Sequence, residues 1–237
     1  MSRAAPRLLL TCEHGGNRVP AAYRAAFARC GDLLATHRGF DPGALALARA
    51  LARQLDAPLI ASTVTRLLVE PNRSLRHRSL FSSVTCEFSD DEKACILARY
   101  YAPHRERVES ALARMIRGGR GGNRVVHVGV HSFTPVLNSD ERRADIGLLY
   151  DPARPLERAF CARWRAALSR RAPELRVRMN YPYLGRSDGL TTALRRCFPA
   201  RRYLGIELEV NQKWARHNRF PRRWVNAIAE SLAETLA

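Results

Sequence analysis

The stretch Val125-Val126-His127-Val128-Gly129-Val130-His131 reads as a β-strand, apolar almost throughout, that runs to residue 130 and stops on an imidazole. Ser132-Phe133-Thr134-Pro135 turns the chain immediately afterwards. The same pattern recurs to either side. LLLTC at 8–12 runs into Glu13-His14, apolar runs fall at 146–150 and 175–179, and a strand at 203–210 carries Glu207 and Glu209. Helical patterns alternate with these strands, which predicts an α/β fold. We expect a single domain over residues 1–237, with a mostly parallel or mixed central sheet and helices on both faces. In such sheets ligands bind beyond the carboxyl ends of the strands. Polar residues that end apolar strands are therefore the places to look for chemistry.

The expected helices follow from caps and apolar spacing. A turn at EHGGNRVP leads into a helix at about 20–29. A second starts at Asp41-Pro42, with Asp as N-cap, Pro in the first turn, and Leu45, Ala48, Leu51, Ala52 and Leu55 on one face. LIAST and LLVE then read as strands. Ser89 to Glu92 is a capping box opening a long helix to about 117, with a kink expected at Pro103. GGRGGN at 118–123 is a loop, and helices follow at about 155–171, 190–197 and from 221.

Composition excludes several classes. With 46% apolar residues, the chain is neither disordered nor a disulfide scaffold. No apolar run approaches the ~20 residues that span a bilayer, and LLLTC is too short for an export signal. No membrane association is expected, and the cytoplasm is the expected compartment. The six cysteines form no C-x-x-C pair and read as reduced thiols. The net charge of +18 is almost all arginine, spread in pairs along the chain rather than gathered in one block. Nucleic acid is accordingly not the expected partner. The sequence does not disclose the oligomeric state.

His14 and His131, at two strand ends of one sheet, make a metal pair, and neutral imidazole suits zinc. A catalytic zinc site takes three protein ligands and keeps a place for water. Asp41, Glu13 and Asn17 are the candidates for the third. Asp41 also reads as a helix cap, and Asn17 ranks last because an amide oxygen is the poorer ligand. Glu207 and Glu209 share one face of a strand, where an unpaired carboxylate is costly unless it faces a cleft, a metal or an arginine. Either suits proton transfer. Arg66, Asn72 and Arg73 bracket LLVEP, and Asn72-Arg73 suits the carboxylate of an amino-acid-like substrate.

Seven stretches taken together, TCEHGGNRVP, HRGFDPGA, TRLLVEPNRS, YYAPHRERV, VGVHSFTP, NYPY and IELEVNQ, resemble the N-formylglutamate amidohydrolases. They are more distantly similar to aspartoacylase, succinylglutamate desuccinylase and zinc carboxypeptidases. The resemblance implies a phosphorylase/hydrolase-like fold, a zinc-dependent amidohydrolase with another divalent metal as the alternative, and a role in histidine catabolism. It implies a small acidic N-acyl amino acid as substrate. By position it makes His14 and His131 metal ligands, and Arg66, Asn72 and Arg73 the groups that hold the substrate carboxylate and polarise the scissile carbonyl. The register of Val-Asn-Gln makes Glu209, rather than Glu207, the catalytic carboxylate. Tyr150, Asn180, Tyr183 and Arg186 are expected around the substrate pocket. The chain departs from its distant relatives at Asn17, where their H-x-x-E would place a glutamate, so either Asp41 or Glu13 supplies the third ligand or metal binding is weakened.

The expected activity is hydrolysis of an N-acyl, first of all N-formyl, amide of an acidic amino acid. Arg66 and the metal would stabilise the oxyanion, and Glu209 would shuttle the proton. The competing expectations are a zinc amidase of peptides or peptidoglycan, and an inactive hydrolase scaffold that binds nucleic acid.

Overall fold

Alternation along the strands decides what the sheet shows to each side. The computed structural model describes residues 7–118 and 124–237, so most of the expected loop at 118–123 lies outside the described residues. In chain order the regular elements are β1 (Arg7–Cys12), α1 (Gly31–Ala35), α2 (Ala44–Gln54), β2 (Leu59–Ala61), α3 (Asp90–Ile96), α4 (Ala102–Arg117) and β3 (Val125–Phe133). There follow β4 (Val136–Leu137), β5 (Asp140–Glu141), β6 (Ile146–Leu149), α5 (Pro155–Arg171), β7 (Val177–Met179), α6 (Leu190–Cys197), β8 (Tyr203–Asn211) and α7 (Arg222–Leu236).

Six strands form one sheet in the order β2-β1-β3-β8-β6-β7. The first four are mutually parallel; β6 runs antiparallel to β8, and β7 pairs parallel to β6. The sheet is mixed and the fold is α/β, as the sequence predicts.

Period-two alternation sends Leu8, Leu10, Val126, Val128, Val130, Leu204, Ile206 and Leu208 to one face, where they pack with α2, α5 and α7. Trp164 of α5 is fully buried in that layer. The opposite face begins apolar, with Leu9, Val125 and Tyr203 under α4 and α6. Toward the carboxyl ends it turns polar, carrying His127, Gly129 and His131 on β3 and Glu207 and Glu209 on β8. One register thus gives a dry layer on one side and a polar column on the other.

Several expected elements differ. Residues 20–29 form a short 3-10 turn at Ala21–Tyr23 and further turns whose N–H groups bond three residues back, such as Phe27 to Arg24 at 3.2 Å. Buried Tyr23 and Phe27 pin this segment to a side cluster. The expected strand at 67–70 is a turn. Its apolar side chains join the same cluster, and the Leu67 and Leu68 carbonyls accept from Thr85 Oγ1 instead of from a strand. A short apolar run suits any buried backbone, so periodicity alone does not separate the two outcomes. α2 starts at Ala44 behind Gly43, whose φ is +83°, so Asp41 is not its N-cap. The Ser89 cap holds, its Oγ accepting from Glu92 N–H at 3.2 Å. At Pro103 a wide π-type turn over Leu97–Tyr101 stands where a kink was expected, absorbing the N–H that proline lacks. Among the described residues, no helix is long and apolar enough to cross a membrane.

His127 is a fully buried member of the polar column, lying 2.9 Å from Thr11 Oγ1 and 2.8 Å from the Tyr203 hydroxyl. Burial lowers its pKa to about 4. The folded ring stays neutral at pH values where the unfolded chain takes a proton near pH ~6.5. Stability present above that pH is therefore lost as pH falls toward the folded value. The cost of His127→Gln, read from urea unfolding, is expected to be about 2 kcal/mol smaller at pH 5 than at pH 7.5. Equal costs at the two pH values would rule out a ring held neutral.

Candidate active site

Three chain segments meet beyond the carboxyl ends of β1, β3 and β8. The turn after β1 carries His14, the segment before α2 carries Asp41, and β3 carries His131 near its end. Hydrogen bonds to main-chain carbonyls set them together: Asp41 N–H donates to the His14 carbonyl at 2.9 Å, and Ser132 Oγ donates to the Pro42 carbonyl at 2.8 Å. Gln212, just past β8, donates to the Ser132 carbonyl at 3.1 Å.

The centre of the site is one carboxylate oxygen. Asp41 Oδ2 lies 3.2 Å from His14 Nδ1 and 3.0 Å from His131 Nδ1, and the two rings stand 5.1 Å apart. All three side chains are buried, and their ligand atoms lie within 4.8 Å of one another. Two imidazole nitrogens and a carboxylate oxygen are the donor set of a catalytic zinc site.

Charge supports the same fit. Burial opposes protonation of His131, yet its hydrogen bonds to Asp41 and Glu13 raise its pKa well above the ordinary range. For His14, burial and Arg66 pull down, but Glu70 and Asp41 outweigh them and raise it. Asp41 is held far below the usual carboxylate range: burial opposes this, and the His14 charge and both imidazole hydrogen bonds overcome it. The site thus wants two positive charges where the Nδ1 atoms face Asp41. One divalent cation could supply them in place of protons.

The other expected residues fall in three groups. Arg66, Asn72, Arg73, Tyr183, Glu207 and Glu209 line the same cavity of about 200 Å³ as His14, Asp41 and His131. Glu13 is buried beside His131, on its Nε2 side, with Oε2 at 3.0 Å. The Asp41 oxygen lies instead on the Nδ1 side of that ring, at 3.0 Å. Asn17 points elsewhere, donating to the Leu34 carbonyl at 3.1 Å. The expected pocket roles of Tyr150, Asn180 and Arg186 are corrected, since none lines this cavity. Asn180 instead closes its loop, Oδ1 accepting from the N–H groups of Tyr150 at 3.0 Å and Gly185 at 3.1 Å.

Arg66 binds Glu70 through Nε at 2.7 Å and through Nη2, and reaches Asp41 through Nη1 at 3.3 Å. Arg73 donates to the Asp188 carbonyl, and among the described residues it has no carboxylate in ion-pair range. Asn72 Oδ1 accepts the Leu190 N–H at 2.7 Å, caps the start of α6, and leaves its amide nitrogen to donate. Glu207 accepts from Thr191 Oγ1 at 2.8 Å. Glu209 has one buried oxygen without a hydrogen-bond partner. Burial, with smaller repulsion from Asp41 and Glu207, raises its pKa to about 8 against the opposing pull of His131.

Three residues escaped the sequence reading. Glu70 binds His14 Nε2 as well as Arg66, and it ends an apolar run just as Glu209 does, a signal open to use. Arg142 donates to the Tyr183 hydroxyl at 2.9 Å and lies over that ring at 4.9 Å; no local pattern marks it among so many arginines. His104, one turn into α4, approaches Glu13 at 3.6 Å, and a helical histidine carries no strand-end signal.

Solved structures resemble the chain, and two of them are informative. A gene product of Agrobacterium tumefaciens superimposes with a TM-score of 0.76 at 29% identity, over 98% of this chain and 90% of that one. The N-formylglutamate amidohydrolase of Ralstonia eutropha matches with a TM-score of 0.59 at 20% identity, over 98% and 93%, a likeness of fold. No curated protein matches. The profile of the family described as N-formylglutamate amidohydrolase matches residues 6–215, a span that takes in His14, Asp41, His131 and Glu209, and the chain therefore belongs to the N-formylglutamate amidohydrolase family.

Proposed function

We propose that this protein is a metal-dependent amidohydrolase that removes the N-acyl group, formyl in the first place, from an acidic amino acid such as N-formylglutamate. The observation that carries the proposal is the opening of His14, Asp41 and His131 onto one small cavity with Glu209, a carboxyl that has a raised pKa and an unpartnered oxygen. A cavity of about 200 Å³ suits a single modified amino acid better than a peptide or glycan strand.

His14, Asp41 and His131 would hold the metal, for which zinc is the first candidate. Bound there, zinc would supply Lewis acidity, lowering the pKa of water toward ~7 and polarising a carbonyl. Glu209 accepts the proton of the attacking water and returns it to the departing nitrogen. A carboxyl titrating near the working pH can do both. Arg66 keeps N–H groups beyond those given to Glu70 and Asp41, and these can meet an oxyanion. Arg73 has a charge to offer the substrate carboxylate, and the Asn72 amide can donate beside it. The Tyr183 hydroxyl accepts from Arg142, which leaves its own proton free to donate to substrate. The free state of all six cysteines supports a reducing compartment, the cytoplasm.

Amine release from N-formyl-L-glutamate is expected to stop on chelation and return with zinc. Folded protein that is inactive before chelation, after it and with zinc restored would sink the proposed substrate and call for other acyl groups. Glu209→Gln is expected to lower kcat at least ~100-fold with an unchanged melting temperature; near-normal turnover would remove Glu209 from proton transfer. Arg73→Met is expected to raise KM roughly 10- to 100-fold, the worth of a charged hydrogen bond. A loss confined to kcat would reassign Arg73 to the reacting carbonyl.

A further inference from the structure

His14 and His131 stand between carboxylates in a similar way. Each turns Nδ1 to the shared Asp41 oxygen and Nε2 to a second buried carboxylate, Glu70 for His14 and Glu13 for His131. Glu70 is also paired with Arg66. Glu13 has no such cation and no part in the chemistry proposed above, yet it is only 1% exposed. Burying a carboxylate is costly unless a partner compensates. His104 compensates weakly, since its Nε2 stands 3.6 Å from Glu13 Oε1, beyond hydrogen-bond range, and neither atom has another partner. The close contact is Oε2 with His131 Nε2 at 3.0 Å, an ion-pair distance, and that nitrogen has no other acceptor and no aligned hydrogen bond among the described residues. Gly129, two residues before His131 on β3, keeps that contact open. A Cβ there would stand 3.4 Å from His131 Nε2 and 3.6 Å from Glu13 Oε2, so any side chain longer than a methyl would intrude on the pair.

We propose that Glu13 is a positioning residue for the metal site. Its carboxylate accepts the Nε2 proton of His131, which fixes the tautomer whose Nδ1 lone pair faces Asp41 and the metal. A carboxylate behind a ligating imidazole both orients the ring and raises its basicity. This inference rests on the metal-dependent reading and adds a residue to it that touches neither metal nor substrate.

The test is zinc affinity, measured by competition with a chromophoric chelator, for the unaltered protein, Glu13→Gln and Glu13→Asp. Long-range proton–nitrogen spectra of His131 in the zinc-loaded protein accompany it. Glu13→Gln is expected to bind zinc ~10- to 100-fold more weakly, with Glu13→Asp recovering part of the loss. In the unaltered protein the spectra are expected to show zinc on Nδ1 and a proton on Nε2. Equal zinc affinity in Glu13→Gln, or zinc on Nε2, would overturn the inference while leaving the metal reading intact. Failure of the unaltered protein to take up zinc or any other divalent ion would sink the metal reading itself, and this inference with it. Should Glu13→Gln not fold, the spectrum of the unaltered protein decides alone.

Discussion

The shared oxygen of Asp41 is the constraint around which the catalytic end of this molecule is arranged. It draws in His14, His131 and the Ser132 N–H, while the other oxygen of the same carboxylate meets Arg66. A buried carboxylate is tolerated only with such company. The backbone is tied down to keep that company in place: Asp41 N–H bonds the His14 carbonyl, and Arg66 N–H bonds the Gly39 carbonyl at 3.2 Å. Glu70 repeats the arrangement one step outward, accepting from His14, Arg66 and the Asn72 N–H. The candidate ligands, the groups behind them and the loop that carries Asn72 thus form one electrostatic unit.

That unit has somewhere to sit because β3 and β8 obey different rules on their two faces. Valine, leucine and isoleucine fill the layer under α2, α5 and α7, so the parallel strands stay fixed in register. The opposite face runs from Val125 and Tyr203 through His127 to His131 and Glu209, growing more polar toward the cavity. A slip of one residue in either strand would exchange the two faces. Hydrophobic packing on one side therefore places the polar column on the other.

Much of the fold was legible in the sequence, because long apolar strands ending on polar residues are a tertiary signal written locally. β1, β3, β6 and β8, α5 to α7 and the Ser89 cap all follow from pattern. The misread segments are those where local pattern underdetermines tertiary context. Leu67, Leu68 and Val69 are buried, but in a side cluster whose backbone bonds come from Thr85 and Ser82. Within the site, His14, His131, Arg66 and Glu209 announced themselves as strand-end or strand-flanking residues. Asp41 was ambiguous because aspartate before proline also starts helices, and only the position of α2 behind Gly43 separates the two roles. Glu70 used the same signal as Glu209 and went unread. Arg142 carried none, since its partner Tyr183 lies 41 residues away.

The charge of the whole chain is of one sign and that of its cavity is mixed, and the difference bears on substrate choice. A net charge of +18 sets up a positive field that draws small anions toward the protein. Inside the cavity the charges are mixed, because Asp41, Asp188, Glu207 and Glu209 line it together with Arg66, Arg73, His14 and His131, and Arg66 is already committed to Glu70 and Asp41. The acidic substrate proposed above would thus be attracted from afar by charges that do not touch it and admitted by few that do. Of those, Arg73 is the cation without a carboxylate at its side, held in place by its bond to the Asp188 carbonyl and by the Tyr101 hydroxyl on its own carbonyl at 2.8 Å. Surface charge can accelerate encounter without discriminating among anions, so on the proposed reading discrimination would fall to Arg73 and the donors beside it.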